Sequence, residues 1–78
     1  MKIKSIGSNQ TEITLSNGTV VFVSYDTPVA AFIPGTGIVR TDCRWSNTTT
    51  RHINKWIASV APSATVSTRE QSFFDALV

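Results

Sequence analysis

The N-terminal third of the chain alternates between apolar and polar residues, which is typical of β-strands with one buried face. Residues 2–6 (KIKSI) predict a short first strand, and residues 7–10 (GSNQ) predict a turn. Two longer alternating runs follow, TEITLS and TVVFVSY, and they are joined by Asn17-Gly18. Because Asn-Gly tolerates the positive φ angles of a two-residue type I′ turn, the pattern predicts a β-hairpin in which Ile13 lies opposite Phe22.

The middle of the chain continues as an antiparallel meander. We expect Asp26-Thr27-Pro28 to end the third strand, since proline has no amide proton for a central ladder. Residues 29–33 (VAAFI) and 38–42 (IVRTD) predict two more strands, joined by a turn at residues 34–37 (PGTG). Consecutive hairpins favour a twisted sheet of short strands that curls towards a partial barrel.

After Trp45 the apolar period changes from that of a strand to that of a helix. The new spacing of i, i+3, i+4, i+7 is the stripe of an amphipathic helix, formed by Ile53, Trp56, Ile57 and Val60. It predicts a helix over residues 47–59, which Ser46 or Asn47 caps and Pro62 ends.

The C-terminal part carries weaker signals. Residues 61–68 (APSATVST) show no period and predict a linker, while Ser67 and Glu70 have the spacing of a capping box. A short second apolar stripe follows at Phe73, Phe74 and Leu77. The predicted fold is therefore α+β: a curved antiparallel β-meander of four or five short strands, packed against one amphipathic helix, plus a short C-terminal helix.

Composition and length set the class of protein. Seventy-eight residues, of which 41% are hydrophobic and 15% charged, predict a single folded domain over residues 1–78. Cys43 is the only cysteine, which excludes an internal disulfide. The sequence opens without a secretory leader and holds no apolar run of membrane-spanning length. We therefore expect a cytoplasmic protein that does not bind a membrane.

The segment 42–56 holds residue types found in reaction centres, but not their usual spacing. Asp42, Ser46 and His52 are the residue types of an acyl-transfer triad, and Cys43 with His52 those of a thiol dyad. Ser46 is already required as a cap, and six helical residues separate it from His52 by about 9 Å along the axis. One cysteine and one histidine do not complete a four-ligand zinc site. We expect no catalysis, no metal and no cofactor.

The net charge of +2 is small, but the middle of the chain is basic. On the predicted helix four residues lie opposite the apolar stripe, and two arginines of the preceding segment extend them. The candidate partner-binding residues are Arg40, Arg44, Thr48, Arg51, His52 and Lys55. Such a cluster indicates a solvated helix face, a surface for nucleic-acid phosphates or a surface for an acidic patch on a protein.

Two observations weigh against nucleic acid as the ligand of this cluster. The charge is low, and the sequence has no RNP, KH or zinc-finger signature. Base stacking requires exposed aromatic side chains, whereas Trp56 falls on the core stripe and Trp45 is interpreted as a lid over the core.

Residues 24–57 contain an ordered series of uncommon residues. The series runs through Ser24, Tyr25, Thr27, Pro28, Val29 and Ala30, then Arg40 and Thr41, then Trp45, Ser46, Thr48, Thr49, His52, Ile53, Asn54 and Trp56. It resembles the central motif of a small family of unknown function that is met mainly in bacteriophage and prophage genomes. The resemblance covers nearly half of the chain. It implies a phage origin and brings no catalytic residues with it.

Very small, single-domain phage proteins of this character are similar in class to anti-CRISPR proteins. We therefore expect a non-enzymatic phage-type protein that inhibits a host defence complex by covering a macromolecular surface. Its partner would be a host protein or ribonucleoprotein complex. One alternative is a small basic nucleic-acid-binding protein, whose affinity would fall steeply with salt. Another is a homo-oligomeric accessory phage protein that associates through exposed strand edges.

Overall fold

The chain folds into one six-stranded sheet with a helix on each face. The computed structural model describes residues 1–63 and 65–78. In chain order the elements are β1 Lys2–Gly7, β2 Gln10–Thr14, β3 Val20–Ser24, β4 Thr27–Ile33, β5 Gly37–Thr41, α1 Asn47–Val60, β6 Val66–Arg69 and α2 Gln71–Asp75. The strands keep their sequence order across the sheet and are antiparallel from β1 to β5. The predicted α+β class is confirmed, and the sheet is open rather than curled into a barrel.

The sixth strand corrects the prediction of a purely antiparallel sheet. β6 pairs with β5 in parallel, because α1 forms the crossover between them. The linker predicted over residues 61–68 includes the first three residues of β6, and its Ala64 lies outside the described residues. All four residues of β6 are exposed, so the strand lacks the apolar alternation that would have revealed it.

The start of α2 also differs from the prediction. Ser67 belongs to β6, so the predicted capping box with Glu70 does not form. Glu70 itself is the N-cap residue of α2, and its side chain makes no capping hydrogen bond. The short C-terminal helix is nevertheless present where the second apolar stripe predicts one.

The hairpin between β2 and β3 is closed by a three-residue loop, one residue longer than predicted. The Leu15 N–H donates to the Thr19 carbonyl at 2.8 Å, and the Gly18 N–H donates to the Leu15 carbonyl at 3.1 Å. Gly18 has a φ of 90°, so a type I turn is followed by a glycine bulge. The Asn17 side-chain oxygen accepts from the Thr19 N–H at 3.0 Å, which stabilises this loop instead of a type I′ turn.

The longer loop shifts the pairing register by one residue. Phe22 lies opposite Glu12, and the predicted pairing of Ile13 with Phe22 is wrong. Because opposed residues share a face of the sheet, Glu12 lies on the same side as Phe22, under α1. There Trp56 stacks on Phe22, with ring centroids 5.1 Å apart, and its indole N–H donates to Glu12 Oε2 at 2.7 Å.

The strand β4 begins earlier than predicted. Ser24 pairs with Thr27, so the turn consists of Tyr25 and Asp26 alone. Pro28 lies inside β4, beside the irregular register of the β3–β4 ladder, where a residue without an amide proton is tolerated.

Each face of the sheet has its own hydrophobic core, because successive strand residues point to opposite sides. The core beneath α1 consists of Phe22, Val29, Ala30, Ile38, Ile53 and Trp56. The core beneath α2 consists of Ala31, Val39 and Phe74, flanked by Ile33, Phe73 and Leu77. The predicted stripe of α1 is confirmed at Ile53, Trp56 and Ile57, whereas Val60 is exposed.

Candidate functional site

The segment between β5 and α1 presents Trp45 to solvent. The helix begins after Ser46, whose hydroxyl oxygen accepts from the Thr49 N–H at 3.0 Å, so the predicted N-cap is confirmed. Trp45 comes directly before this cap, and 51% of its surface is exposed. The interpretation of Trp45 as a lid over the core is therefore wrong.

Gln71, at the start of α2, holds the indole of Trp45 by its edge. Trp45 Nε1 donates to Gln71 Oε1 at 3.1 Å, and the same oxygen accepts from the Thr41 hydroxyl at 2.8 Å. The Gln71 amide nitrogen donates to the Pro28 carbonyl at 2.7 Å and to Asp75 Oδ1 at 3.0 Å. Because the glutamine is fixed from β4, β5 and α2, the ring of Trp45 is held with its polar edge bonded and much of its surface in solvent.

The turn between β3 and β4 presents a second aromatic ring, that of Tyr25. Tyr25 is 50% exposed and has a φ of 56°, in the left-handed region that favours glycine. Its N–H donates to the Asn9 carbonyl at 2.7 Å, which ties this turn to the turn between β1 and β2. A tyrosine in this conformation costs on the order of 1–3 kcal/mol, and such strain is concentrated at functional sites.

Tyr25 and Trp45 both line an open groove with a volume of about 440 Å³. Its other lining residues all carry a hydroxyl group: Ser24, Thr27, Ser46, Thr48 and Thr49. None of these seven residues is acidic. The volume falls in the range of about 300–1,000 Å³ that is usual for small-molecule sites. Aromatic walls can stack a flat ring, and hydroxyl groups can both donate and accept hydrogen bonds.

Beneath the groove, Ser24 connects β3 to α1. The Ser24 hydroxyl lies 3.0 Å from His52 Nδ1 and 3.4 Å from Thr49 Oγ1. The ring of Tyr25 is tilted against that of His52, with centroids 6.0 Å apart. His52 is thus half-buried and directed at the sheet, which corrects its expected place on a fully solvent-facing patch.

Two of the predicted basic residues line a second hollow rather than the groove. Arg40 and Arg44 line this hollow of about 250 Å³, and Trp45 and Thr49 line both the hollow and the groove. Arg40 donates to Asn54 Oδ1 at 2.8 Å, and Arg44 donates to Asn47 Oδ1 at 2.9 Å. Both arginines therefore lie along the flank of α1 that faces β5.

The remaining predicted residues are distributed around α1. Thr48 lines the groove, and Arg51 is exposed one helical turn further along. Lys55 lines a separate hollow together with Lys4 and Glu12, above β1 and β2. The six residues thus do not form one patch. Arg40 and Arg44 line the hollow, and Thr48 lines the groove, that Trp45 also lines, whereas Arg51, His52 and Lys55 line neither. Their role in partner binding stays a prediction.

The residue types of a reaction centre are placed apart. Ser46 caps α1, and His52 is bonded to Ser24 rather than to Ser46. Asp42 lines the arginine hollow, and the free thiol of Cys43 is exposed there. Within residues 1–63 and 65–78, no group of three or more His, Cys, Asp or Glu side chains is placed to hold a metal ion. The described helices are all too short or too polar to cross a membrane.

Two important residues of the groove escaped the sequence analysis. Tyr25 and Trp45 were not recognised as its walls, although both belong to the series of residues that carries the family resemblance. That series is the signal that could have found them, since all seven lining residues belong to it. Gln71 lies outside the series and gave no signal, because its contacts reach residues 26 to 43 positions away in the chain.

Fold and site together define a small α+β protein with an open mixed sheet and an exposed aromatic groove. The chain belongs to a family of unknown function (DUF8033), which matches residues 1–76. No curated protein and no solved structure matches the chain. The expectation of a family of unknown function is therefore confirmed.

Proposed function

We propose that the protein is a non-enzymatic binding protein that acts by covering part of a host macromolecule. The observation that carries this proposal is the half-exposed Trp45, fixed by Gln71 and flanked in sequence by Arg44. Tryptophan, tyrosine and arginine are the residue types that dominate binding energy at protein interfaces. A ring that is already fixed loses little conformational entropy when a partner covers it.

The contact surface would extend from the groove to the start of α1. We call Tyr25, Arg44, Trp45, Thr48 and Arg51 the Trp45 surface. An interface of ordinary size covers about 800 Å² on each partner. That is roughly a sixth of the 4685 Å² that this chain exposes. A partner centred on Trp45 would therefore also cover the neighbouring Arg40 and reach the edge of His52.

The finer form of the proposal concerns the partner and its setting. The small size of the chain, its pI of about 9.1 and its resemblance to phage proteins support a phage-encoded inhibitor. Its target would be a host defence complex in the bacterial cytoplasm, such as a CRISPR ribonucleoprotein, by analogy with small phage proteins of the same class.

The proposal is tested by capture from a bacterial lysate with a tagged wild-type protein. We expect one defence complex or host enzyme to be retained after nuclease treatment. The double substitution Arg44→Glu with Arg51→Glu should abolish capture, because it reverses the charge of one arginine beside Trp45 and of a second one on the exposed face of α1. The matched control is Lys2→Glu with Lys4→Glu, which makes the same change of charge on β1 and should leave capture intact.

A functional assay complements the capture. Bacteria with an active CRISPR system and a targeted phage are plated with and without the protein. We expect the wild type to restore phage plating and the Arg44→Glu, Arg51→Glu variant to have no effect. Equal activity of this variant and the β1 control would show that the Trp45 surface does not contact the target.

A second candidate function is suggested by β1. This edge strand is exposed along its whole length, and Ile3 is 68% exposed, so another copy could add a strand there. Lys2 and Lys4 on the same strand oppose such pairing. A homo-oligomeric accessory protein would show a mass in sedimentation that rises with concentration and falls on Ile3→Lys substitution.

A further inference from the structure

We propose that the Trp45 surface binds single-stranded nucleic acid, with one unstacked base against Trp45 in the groove and neighbouring phosphates on Arg40 and Arg44. The inference rests on the proposed function and deepens it. It names the part of a ribonucleoprotein target that the surface would contact. The sequence argues against nucleic acid through its low charge, its lack of RNP, KH or zinc-finger signatures and the expected burial of Trp45, and the structure removes the last of these objections.

The orientation of the Trp45 ring favours stacking over hydrogen bonding to a ligand. Its only polar atom, Nε1, is bonded to Gln71, so a ligand meets the aromatic surface rather than a hydrogen-bond donor. Trp45 lines both the groove and the arginine hollow. A flat ring gains most from such a surface by stacking, and every nucleobase has a π-face.

The groove combines aromatic side chains with hydroxyl groups. Tyr25 supplies a further aromatic wall, and Thr27 and Thr48 supply hydroxyl groups that can donate to or accept from the edges of a base. Hydroxyl groups of this kind do not distinguish strongly between the four bases. The groove is therefore suited to binding with little sequence preference, which is the usual behaviour of stacking sites.

Two arginines near Trp45 complement the negative charge of a nucleic-acid backbone. Arg40 and Arg44 line the hollow that shares Trp45 with the groove, so a strand that placed a base in the groove would have its backbone near them. Each guanidinium bonds one asparagine oxygen and has further N–H donors for phosphate. Asp42 in the hollow and Asp26 beside Tyr25 reduce the local positive charge. We therefore expect a moderate affinity for single-stranded nucleic acid, which depends on base stacking as well as on charge.

The test measures binding of a fluorescein-labelled oligothymidylate of about twelve nucleotides, a length that spans a typical single-strand site. We expect saturable binding, with quenching of tryptophan fluorescence as the base stacks on Trp45. The slope of log affinity against log salt should be about −1.4, the value for two phosphate contacts on a single strand. An abasic strand of the same length carries the same phosphates and should bind at least about fivefold more weakly.

Three variants isolate the stacking contribution. Trp45→Ala should weaken binding by about 5- to 150-fold, the range for loss of one stacked base. Trp45→Phe keeps a flat ring, so it should keep most of the affinity while losing the tryptophan quenching. Ile3→Ala, an exposed apolar residue on β1, should change neither. Circular dichroism melting curves confirm that each variant is folded before its binding is compared.

The outcomes separate this inference from the proposed function. Equal binding of the abasic strand, or unchanged affinity in Trp45→Ala, would overturn it, because charge alone would then explain the binding. The same holds if no saturable binding is seen. If capture of a host complex nevertheless depends on the Trp45 surface, the contact is with protein, and the proposed function stands without this inference.

Discussion

The two tryptophans of this chain are held in similar ways but lie in opposite environments. Each donates its indole N–H to a side-chain oxygen, Trp56 to Glu12 at 2.7 Å and Trp45 to Gln71 at 3.1 Å. Trp56 is 3% exposed and stacks on Phe22 inside the core, whereas Trp45 keeps half of its surface in solvent. The hydrogen bond of the indole N–H thus has a different consequence in each case: it permits the burial of Trp56, and it fixes the exposed ring of Trp45.

The difference in exposure shows which of the two tryptophans contributes more to the stability of the fold. The ring of Trp56 contributes apolar area to the core beneath α1, so its removal leaves a cavity. Trp45 is in neither buried core, and only about half of its surface is covered, so it contributes less to folding than Trp56 does. On the proposed function, the exposed half of the ring is the part that a partner covers.

The largest expected effect comes from Trp56→Ala. Loss of a buried aromatic side chain should lower the free energy of unfolding by about 3–5 kcal/mol, measured by urea denaturation. Since small domains have total stabilities of about 5–15 kcal/mol, the variant should be close to unfolding. Trp45→Ala is the matched control and should lower the free energy of unfolding by less, about 1–2 kcal/mol, since only half of the side chain is buried and one hydrogen bond is lost. Similar losses in both variants would contradict the division of roles.

A smaller effect is expected when Trp56 keeps its ring but loses its acceptor. Glu12→Ala leaves the indole N–H of Trp56 unpaired in the core and should cost about 1–3 kcal/mol of unfolding free energy. Glu12→Gln retains an oxygen acceptor at the same position and should cost less. If Ala and Gln are equally destabilising, the loss comes from the carboxylate charge and not from the hydrogen bond to Trp56.

The smallest expected effect is a difference in stability between two variants of Tyr25, the other aromatic wall of the groove. Tyr25→Gly should be more stable than Tyr25→Ala by about 1 kcal/mol in thermal or urea unfolding, because glycine adopts the positive φ of this turn without strain. Both variants lose the aromatic ring and should weaken oligothymidylate binding equally. Equal stability of the two variants would show that the turn relaxes when the tyrosine is removed.

The sequence predicted the fold well where apolar residues alternate or repeat with a helical period. The β-meander and α1 follow from such patterns, and the hydroxyl of Ser46 marks the start of the helix. The register of the hairpin was predicted wrongly because Asn17-Gly18 is compatible with two loop lengths, and the choice depends on a hydrogen bond from Thr19 to the Asn17 side chain. β6 was missed because a short exposed strand has no apolar pattern of its own.

The site was less predictable than the fold for a different reason. Three of the predicted residues, Arg40, Arg44 and Thr48, do line the hollow or the groove beside Trp45, since local helix and strand geometry places them there. The exposure of Trp45 itself depends on Gln71, which approaches from α2, and no local pattern encodes that contact. An apolar side chain between a strand and a helix can be either buried or exposed to solvent, and contacts from distant parts of the chain determine which of the two occurs.

The contacts of Gln71 also determine at which stage of folding the ring of Trp45 is fixed beside the groove. Strands β1 to β5 pair only with their neighbours in sequence, so the meander can form from local contacts, which are the fast ones. The bonds from Gln71 to Thr41, Trp45 and Pro28 close loops of 26 to 43 residues and must wait until α2 docks. A chain that has formed its meander but has not yet docked α2 would contain most of its sheet but would not have a fixed Trp45. The orientation of this ring is therefore acquired only when α2 docks.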